Sequence, residues 1–532
     1  MNPAARTLEP VDLHSLPEYS PTTYIDFSKP DNRQAFEKAL ESVRGQLGKE
    51  APLVVGGERL KGNGTFESHN PARPEEVIGK FQSGTKEQAS RAVDVAWEAF
   101  QRWSRVAPAE RAAYLIEAAR LMRERRHIFS AWMVLEVGKS WAEGDADTAE
   151  AIDFMEFYAR EMLRYAAPPP PTQLPGERDT LVYVPLGVGA VIPPWNFPLA
   201  ILVGMTTAAI VTGNTVVVKP SSDSPAIAWQ FFQLMEEVGL PEGVFNFVTG
   251  SGGTVGDTLV RHAKTRFVSF TGSREVGVGI NKLAAEVQPG QIWLKRVVAE
   301  MGGKDAIIVD DEADLDAAAE GVAVSAFGFQ GQKCSACSRA IVTQKVYDAF
   351  LEKLQARVEK FSVGEPDKYG TYMGPVVNKS SRDKILSYIE KGKDDGGRLL
   401  VGGAGLAGTE GYFIQPTVVA DVKPTHTIAQ EEIFGPVLAV IPVKDFDEAL
   451  RVANGTDYGL TGAVYTKNPE KIERARREFF VGNLYINRKC TGAIVGAHPF
   501  GGFNMSGTDS KAGGRDYLLL FLQAKSIAEK IS

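Results

Sequence analysis

Cysteine is scarce: three residues in 532, at Cys334, Cys337 and Cys490. So few thiols exclude a disulfide framework and point to a reducing compartment. Six histidines are scattered through the chain and supply no four-ligand set with these thiols, so no metal is expected. Positive charge is not in excess, with 59 Lys and Arg against 66 Asp and Glu and a net charge of −7. That argues against nucleic acid or an anionic membrane as the main partner. The most apolar run, Phe197 to Val211, contains Thr206 and Thr207 and falls short of the roughly 20 residues a membrane span needs. Glu9, Asp12 and Glu18 crowd the N-terminal stretch, which lacks the apolar core of a signal peptide, so a cytoplasmic location is expected. There is no internal repeat and no low-complexity tract.

What is present reads as a soluble globular chain long enough for two or three domains, with hydrophobic residues at 44% and charged residues at 23%. Residues 1–30 are Pro-rich and polar, an arm without a core of its own. A helix is expected over 32–47, then a β-like segment over 52–59 turning at Gly56-Gly57. From Lys86 to Leu163 the pattern is helical, with Arg123, Arg125 and Arg126 on a solvated helix end. Pro168 to Pro171 is a rigid break, and Thr180 to Val184 an exposed strand, together making a flap. Short apolar runs then alternate with helical ones: 189–192, helix 198–212, 215–218, helix 224–238, 245–248, helix 254–262, 267–270, helix 274–286. That alternation predicts a doubly wound parallel sheet of α/β class. A second series starts at Ala306 and includes helices 344–360, 380–393 and 446–453 and strands 437–442 and 462–465.

The segment Phe327 to Arg339, FGFQGQKCSACSR, stands out against this background. The run 317–329 predicts a buried helix broken by Gly331, and Cys334 falls on the turn before an apolar strand at 340–342. A thiol at such a bend, with Lys333 and backbone N–H groups beside it, has the ingredients of a nucleophile. A packing cysteine is the bland alternative. Cys334-Ser-Ala-Cys337 is also a Cys-x-x-Cys, but it leads into a strand where a thioredoxin-like motif opens a helix.

Other candidates lie outside this segment, the first two where strands end. Lys219 in Lys219-Pro-Ser-Ser222 could hold ribose hydroxyls or phosphate, or be a solvated loop lysine. Gly272-Ser273-Arg-Glu-Val-Gly277 ends a strand and opens a helix, as phosphate-binding turns do, and also as tight turns do. Glu300, beside Gly302 and Gly303, could serve as a general base or be a surface carboxylate. Asn196, in Pro193-Pro194-Trp195-Asn196-Phe197-Pro198, is fixed by its prolines and could donate to an oxyanion, or simply shape a turn.

Seven segments occur in order: PWNFP, TGNTVVVKPS, FTGSREVG, EMGGK, FGFQGQKCSA, EEIFGPV and PFGGFNMSG. Together they resemble the NAD(P)-dependent aldehyde dehydrogenase superfamily from about residue 50 to the end. The resemblance implies a Rossmann-type cofactor domain, an α/β catalytic domain and a small β oligomerisation flap. The expected divisions are an arm and helix at 1–48, the cofactor domain at 49–168 and 187–300, the catalytic domain at 301–503, and the flap and tail at 169–186 and 504–532. It further implies Cys334 as nucleophile, Glu300 as general base and Asn196 as oxyanion donor with the Cys334 backbone N–H. Lys219 and Glu432 match ribose ligands, Gly272, Ser273 and Gly277 the pyrophosphate turn, and Phe434 the residue packing near the nicotinamide ribose; Ser222 and Trp195 are further cofactor-binding candidates. Members that pass the acyl group to coenzyme A typically lack the glutamate, so free acid is the expected product.

Ser222 departs from the pattern, because many NAD-preferring members carry Glu three residues after the lysine. NAD is therefore the expected cofactor, with NADP tolerated. Asn487-Arg-Lys-Cys-Thr-Gly492-Ala493 is similar to the anchoring loop of the branch that oxidises L-glutamate γ-semialdehyde in proline catabolism. That similarity assigns Ser335, Gly492 and Ala493 to the substrate α-carboxylate, Phe197 and Phe500 to its aliphatic chain, and Lys333 to the same side. The alternative is another hydrolytic member, such as one acting on succinate semialdehyde. A homo-oligomer of at least two chains is implied, and a proline-oxidising enzyme is the partner that would supply the substrate.

Overall fold

Two seven-stranded sheets organise the protein, each built where β-branched runs alternate with helices. In the computed structural model, which describes residues 8–531, the first sheet has the order Arg296–Glu300, Thr265–Thr271, Val188–Ile192, Thr215–Val218, Phe245–Phe247, Leu53–Val55, Glu58–Leu60. The first five strands are parallel, and the last two add an antiparallel hairpin. Its turn is Gly56-Gly57, with φ of 61° and 83°. Both angles suit the tight turn whose twist matches a hairpin, and glycine accepts them freely. Val188–Ile192 and Thr215–Val218 are buried at every position, as strands covered by helices on both faces must be.

From Val188–Ile192 the chain steps to Thr215–Val218 on one side and later reaches Thr265–Thr271 on the other. Strand order therefore reverses at this point, opening a crevice at the carboxyl ends of the strands. The second sheet runs Arg398–Val401, Thr417–Ala420, Val437–Val443, Arg339–Thr343, Ala306–Val309, Thr461–Tyr465, Asn483–Ile486, and all but its first strand pair in parallel. The expected α/β fold is present, with this pattern used twice.

Local structure differs from expectation in several places. The helical region is four helices, Lys86–Trp103, Pro108–Glu124, Arg126–Val137 and Trp141–Ala166. Arg126 is not solvated: it is buried and donates from Nε to Asp145 at 2.6 Å. The expected helix over 254–262 is a π turn, Gly252–Gly256, followed by a short helix, Asp257–Arg261. The buried helix ends at Phe327, two residues earlier than its apolar pattern suggests.

The N-terminal arm takes its core from the body. Thr22 donates its N–H and hydroxyl to Asp153, and Phe27 packs its ring on Phe36 and Trp141. Strand Glu177–Pro185 leaves the body and pairs antiparallel with Leu522–Lys530, register Pro185 to Leu522 through Glu177 to Lys530. Among the described residues, no helix is long and apolar enough to cross a membrane.

Candidate active site

The first sheet offers residues from the carboxyl ends of its strands. The loop after Val188–Ile192 carries Trp195 and Asn196; the end of Thr215–Val218 carries Lys219; the end of Thr265–Thr271 carries Gly272 and Ser273; Glu300 closes Arg296–Glu300. The second sheet contributes from the opposite ends. Cys334 precedes strand Arg339–Thr343, and Glu432 and Phe434 precede Val437–Val443. The two sets meet in one cleft of about 900 Å³, whose lining includes Trp195, Asn196, Lys219, Cys334, Glu432 and Phe434.

The Cys334 segment is held in a demanding conformation. Phe329 and Gln330 adopt φ of 49° and 56°, left-handed values that non-glycine residues take only when their surroundings fix them. Gln330 Nε2 donates to Gly138 O at 3.0 Å and Pro375 O at 2.8 Å. Gln332 Oε1 accepts from Val377 N–H at 2.9 Å. Gly331 must lack a side chain, since a Cβ there would lie 2.3 Å from Gly435 O. Asn196 Nδ2 then donates to Gln332 O at 3.1 Å. This bond ties the carboxamide to the cysteine loop and leaves its second N–H proton for another acceptor.

The thiol is not activated by Lys333. That lysine turns away and donates to Glu143 Oε1 at 2.7 Å. Burial instead pushes the Cys334 thiol well above its ordinary range, and the carboxylates of Asp305, Glu300 and Glu432 push it further. The Ser335 backbone N–H works against these and lowers it. Lys333, the lysine beside it in the chain, is thus committed to Glu143 and not to the thiol.

Glu300 is buried, and burial raises its carboxyl to about 7. Opposing that rise, Oε1 accepts from the Ser510 hydroxyl at 2.8 Å and its N–H at 3.1 Å, and Oε2 from Gly502 N–H at 3.2 Å. A carboxyl poised near neutrality suits proton transfer.

Around the cleft, Lys219 is buried, and its Nζ donates to Pro220 O at 2.9 Å and Gly250 O at 3.4 Å; burial lowers it to about 8. Gly272 N–H donates to Glu300 O at 3.1 Å, and Ser273 caps helix Arg274–Ala285 by accepting from Val276 N–H at 3.4 Å. Gly277 lies under the helix, where a Cβ would come 2.5 Å from Met301 Sδ. Its role here is close packing. Glu432 accepts from Gly303 N–H at 3.1 Å. Phe434 has a φ of 60° and meets Trp195 edge-on with ring centroids 5.5 Å apart. Ser222 is exposed and does not line the cleft, whereas Ser221 does.

On the other side of Cys334, Ser335 is buried and Gly492 sits at φ 76° in the loop after strand Asn483–Ile486. Ala493 follows it, half-buried. Phe500 is anchored by two backbone bonds to Ala512. Phe197 covers a residue that the sequence reading missed. Lys139 Nζ lies 4.1 Å from its ring centre and 4.0 Å from that of Phe329. Glu143 was also missed. The signal was Ser140-x-x-Glu143, a helix-start pattern; Ser140 does accept from Glu143 N–H at 3.4 Å. Cys337 is buried, its thiol on Arg339 O at 3.5 Å, and all three thiols are free. Among the described residues, one grouping has metal-ligand character, Asp310, Asp311 and Glu312. Lys471 already occupies it, with Nζ 2.8 to 3.1 Å from their oxygens.

The aldehyde dehydrogenase family profile matches residues 59–527. A 1-pyrroline-5-carboxylate dehydrogenase of Geobacillus thermodenitrificans (strain NG80-2) is 57% identical over 511 residues, covering 96% of this chain and 99% of the relative. The crystal structure of 1-pyrroline-5-carboxylate dehydrogenase from Thermus with bound NAD superposes with a TM-score of 0.95 at 50% identity, covering 97% of this chain and all of that one. Proline utilization A from Bdellovibrio bacteriovorus, inactivated by N-propargylglycine, gives a TM-score of 0.94 at 44% identity. That match covers 96% of this chain and 53% of the larger one.

Proposed function

Since this chain belongs to the aldehyde dehydrogenase family, we propose that it oxidises L-glutamate γ-semialdehyde, the open form of 1-pyrroline-5-carboxylate, to L-glutamate with NAD. The observation that carries the reading is the meeting of Asn196 and Cys334 in the cleft, with Glu300 at its margin.

The chemistry follows from what each group can do. The Cys334 sulfur adds to the aldehyde carbon, and the carbonyl oxygen becomes an oxyanion. The unused Asn196 N–H and the Cys334 backbone N–H are the donors for that oxygen. NAD, when bound, would supply the hydride acceptor and, through its cationic nicotinamide, a positive charge that Lys333, paired with Glu143, does not bring to the thiol. Loss of hydride leaves a thioester on Cys334. Glu300 then takes a proton from water, the hydroxide adds to the thioester carbon, and the C–S bond breaks to return the thiolate and release the carboxylate.

The residues present fit the cofactor. Lys219 and Glu432 both line the cleft and offer groups for ribose hydroxyls, the Gly272-Ser273 turn opens a helix for phosphates, and Phe434 and Trp195 line the same cleft ring edge to ring. Ser222 brings no carboxylate against a 2′-phosphate, so NADP is tolerated. For the substrate, Ser335, Gly492 and Ala493 hold the α-carboxylate, Phe197 and Phe500 border the aliphatic chain, and Lys333 acts through its pair with Glu143.

In this reading residues 49–168 and 187–300 hold the cofactor, 301–503 carry the nucleophile, and 169–186 with 504–532 serve assembly. We expect a homo-oligomer. The paired strands Glu177–Pro185 and Leu522–Lys530 form a two-stranded ribbon, and Val278, Val287, Ile292 and Leu294 are exposed apolar side chains. Light scattering of the chain truncated before Gln523 should show a smaller species. A thiol nucleophile suits the reducing cytoplasm, and a proline-oxidising enzyme is the natural supplier of substrate.

The deciding assay compares nicotinamide reduction with glutamate γ-semialdehyde, succinate semialdehyde and propanal. A kcat/KM preference for the amino-acid aldehyde that collapses in Ser335→Ala is expected. Equal values for all three would keep the reaction and discard the substrate.

A further inference from the structure

The Glu300 carboxyl is turned toward the 502–510 segment and not toward the cleft. Its neighbours Met301 and Gly302 line the cleft, whereas Glu300 itself does not. Both carboxyl oxygens are occupied by donors from that segment, and a single residue, Ser510, supplies two of the three. Ser510 is buried, and its backbone neighbours explain how one residue aims two donors at one oxygen. Asp509 and Lys511 adopt φ of 51° and 53°, left-handed on either side of it. Lys511 is fixed in turn, donating to Gly482 O at 2.8 Å and Gly501 O at 3.0 Å.

We propose that Ser510 is a positioning residue for Glu300: its hydroxyl, with its own N–H and that of Gly502, docks the carboxylate off the cleft until the thioester is ready for water. The proposal rests on Glu300 being the base. Docking has a use, because an ionised carboxylate opposes formation of the Cys334 thiolate and its activated water would compete with earlier steps. Three donors stabilise the charged form during the wait. The groups facing Glu300 are the Lys511 ammonium, the Cys334 thiol and the Tyr517 hydroxyl, the last bonded to Ser269. The carboxyl takes its hydrogen bonds from Gly502 N–H and from Ser510 N–H and hydroxyl, so the hydroxyl is the removable side-chain contact.

The test uses the full chain and p-nitrophenyl acetate, whose hydrolysis on the thiol needs no cofactor, following the steady rate after the burst across pH. Ser510→Ala and Ser510→Gly keep the amide donor and lose the hydroxyl. The acid-limb midpoint should move up by about one pH unit, because a bond to the charged form is lost. The high-pH plateau should rise about two- to five-fold as the base is freed. Ser510→Thr should restore both. A uniform change in rate with no movement of the midpoint, in whichever variant folds, overturns the proposal. Glu300→Gln separates the two readings: if it keeps the acid limb, the assignment of the base fails; if it loses the limb while Ser510→Ala leaves it unmoved, only the docking role falls.

Discussion

Lys139 Nζ lies 3.2 Å from Asp147 Oδ2, both side chains wholly buried, with the ammonium between the rings of Phe197 and Phe329. Burial lowers the lysine and raises the aspartate, and the attraction between them opposes both shifts. Asp147 also accepts from Ala200 N–H at 2.7 Å, at the start of the helix that follows Asn196. The pair therefore braces the loop that carries the oxyanion donor. Removing one partner strands a buried charge. Lys139→Met should cost about 3–5 kcal/mol in urea unfolding, with Lys139→Met/Asp147→Asn recovering part of it. A loss under about 1 kcal/mol would show that the pair is not a brace.

The environment of Glu300 sets a pH requirement. Its carboxyl is raised to about 7, so the basic form is half populated there and declines below. Thioester hydrolysis should rise with pH through about 7 and level off above. Glu300→Gln should still give a burst of reduced nicotinamide, then stall as acyl-enzyme that mass spectrometry detects on Cys334. Steady turnover in that variant would remove Glu300 from the hydrolytic step.

Most of the first sheet was legible because alternation of apolar runs with helices fixes where strands end, and Asn196, Lys219 and Gly272 follow such ends. Its edge strand Arg296–Glu300, which places Glu300, does not show in that pattern, since the basic pair Lys295-Arg296 stands at its start and no helix separates it from the next series. What was not legible depends on contacts between distant parts of the chain. Lys333 looked like a cation for the thiol, but its partner Glu143 lies 190 positions away. Arg126 looked solvated because Asp145, on the next helix, could not be seen beside it. Phe329 continues an apolar helical pattern and was read as helix. The bonds from Gln330 to Gly138 and Pro375 instead hold it left-handed, and local propensity gives no sign of that.

Gly302 and Glu432 form a cofactor-side contact with little tolerance. A Cβ at Gly302 would lie 2.0 Å from Glu432 Oε2, so alanine must displace the carboxylate. Displacement would also break the bond from Gly303 N–H. Gly302→Ala should raise KM for NAD about tenfold or more while leaving ester hydrolysis on Cys334 nearly unchanged. Equal damage to both would mean that the substitution disturbs the nucleophile's loop, since Gly303 already lies close to Cys334 O.

Choice between NAD and NADP turns on what stands at Ser222. It is neutral, exposed and beside Ser221, which reaches the cleft wall. Asp223 follows, but its carboxylate accepts from Asn378 Nδ2 at 3.0 Å, and burial keeps its carboxyl above the ordinary range. Neither residue presents a free charge to a 2′-phosphate. Ser222→Glu would add one, and a like charge within a few ångströms of a doubly charged phosphate costs on the order of 1–3 kcal/mol in a partly solvated cleft. The ratio of kcat/KM for NAD over NADP should therefore climb ten- to a hundred-fold, through a fall in NADP activity, with the NAD value held or improved. An unchanged ratio would place the 2′-position away from residue 222 and leave Lys219 to discriminate by itself.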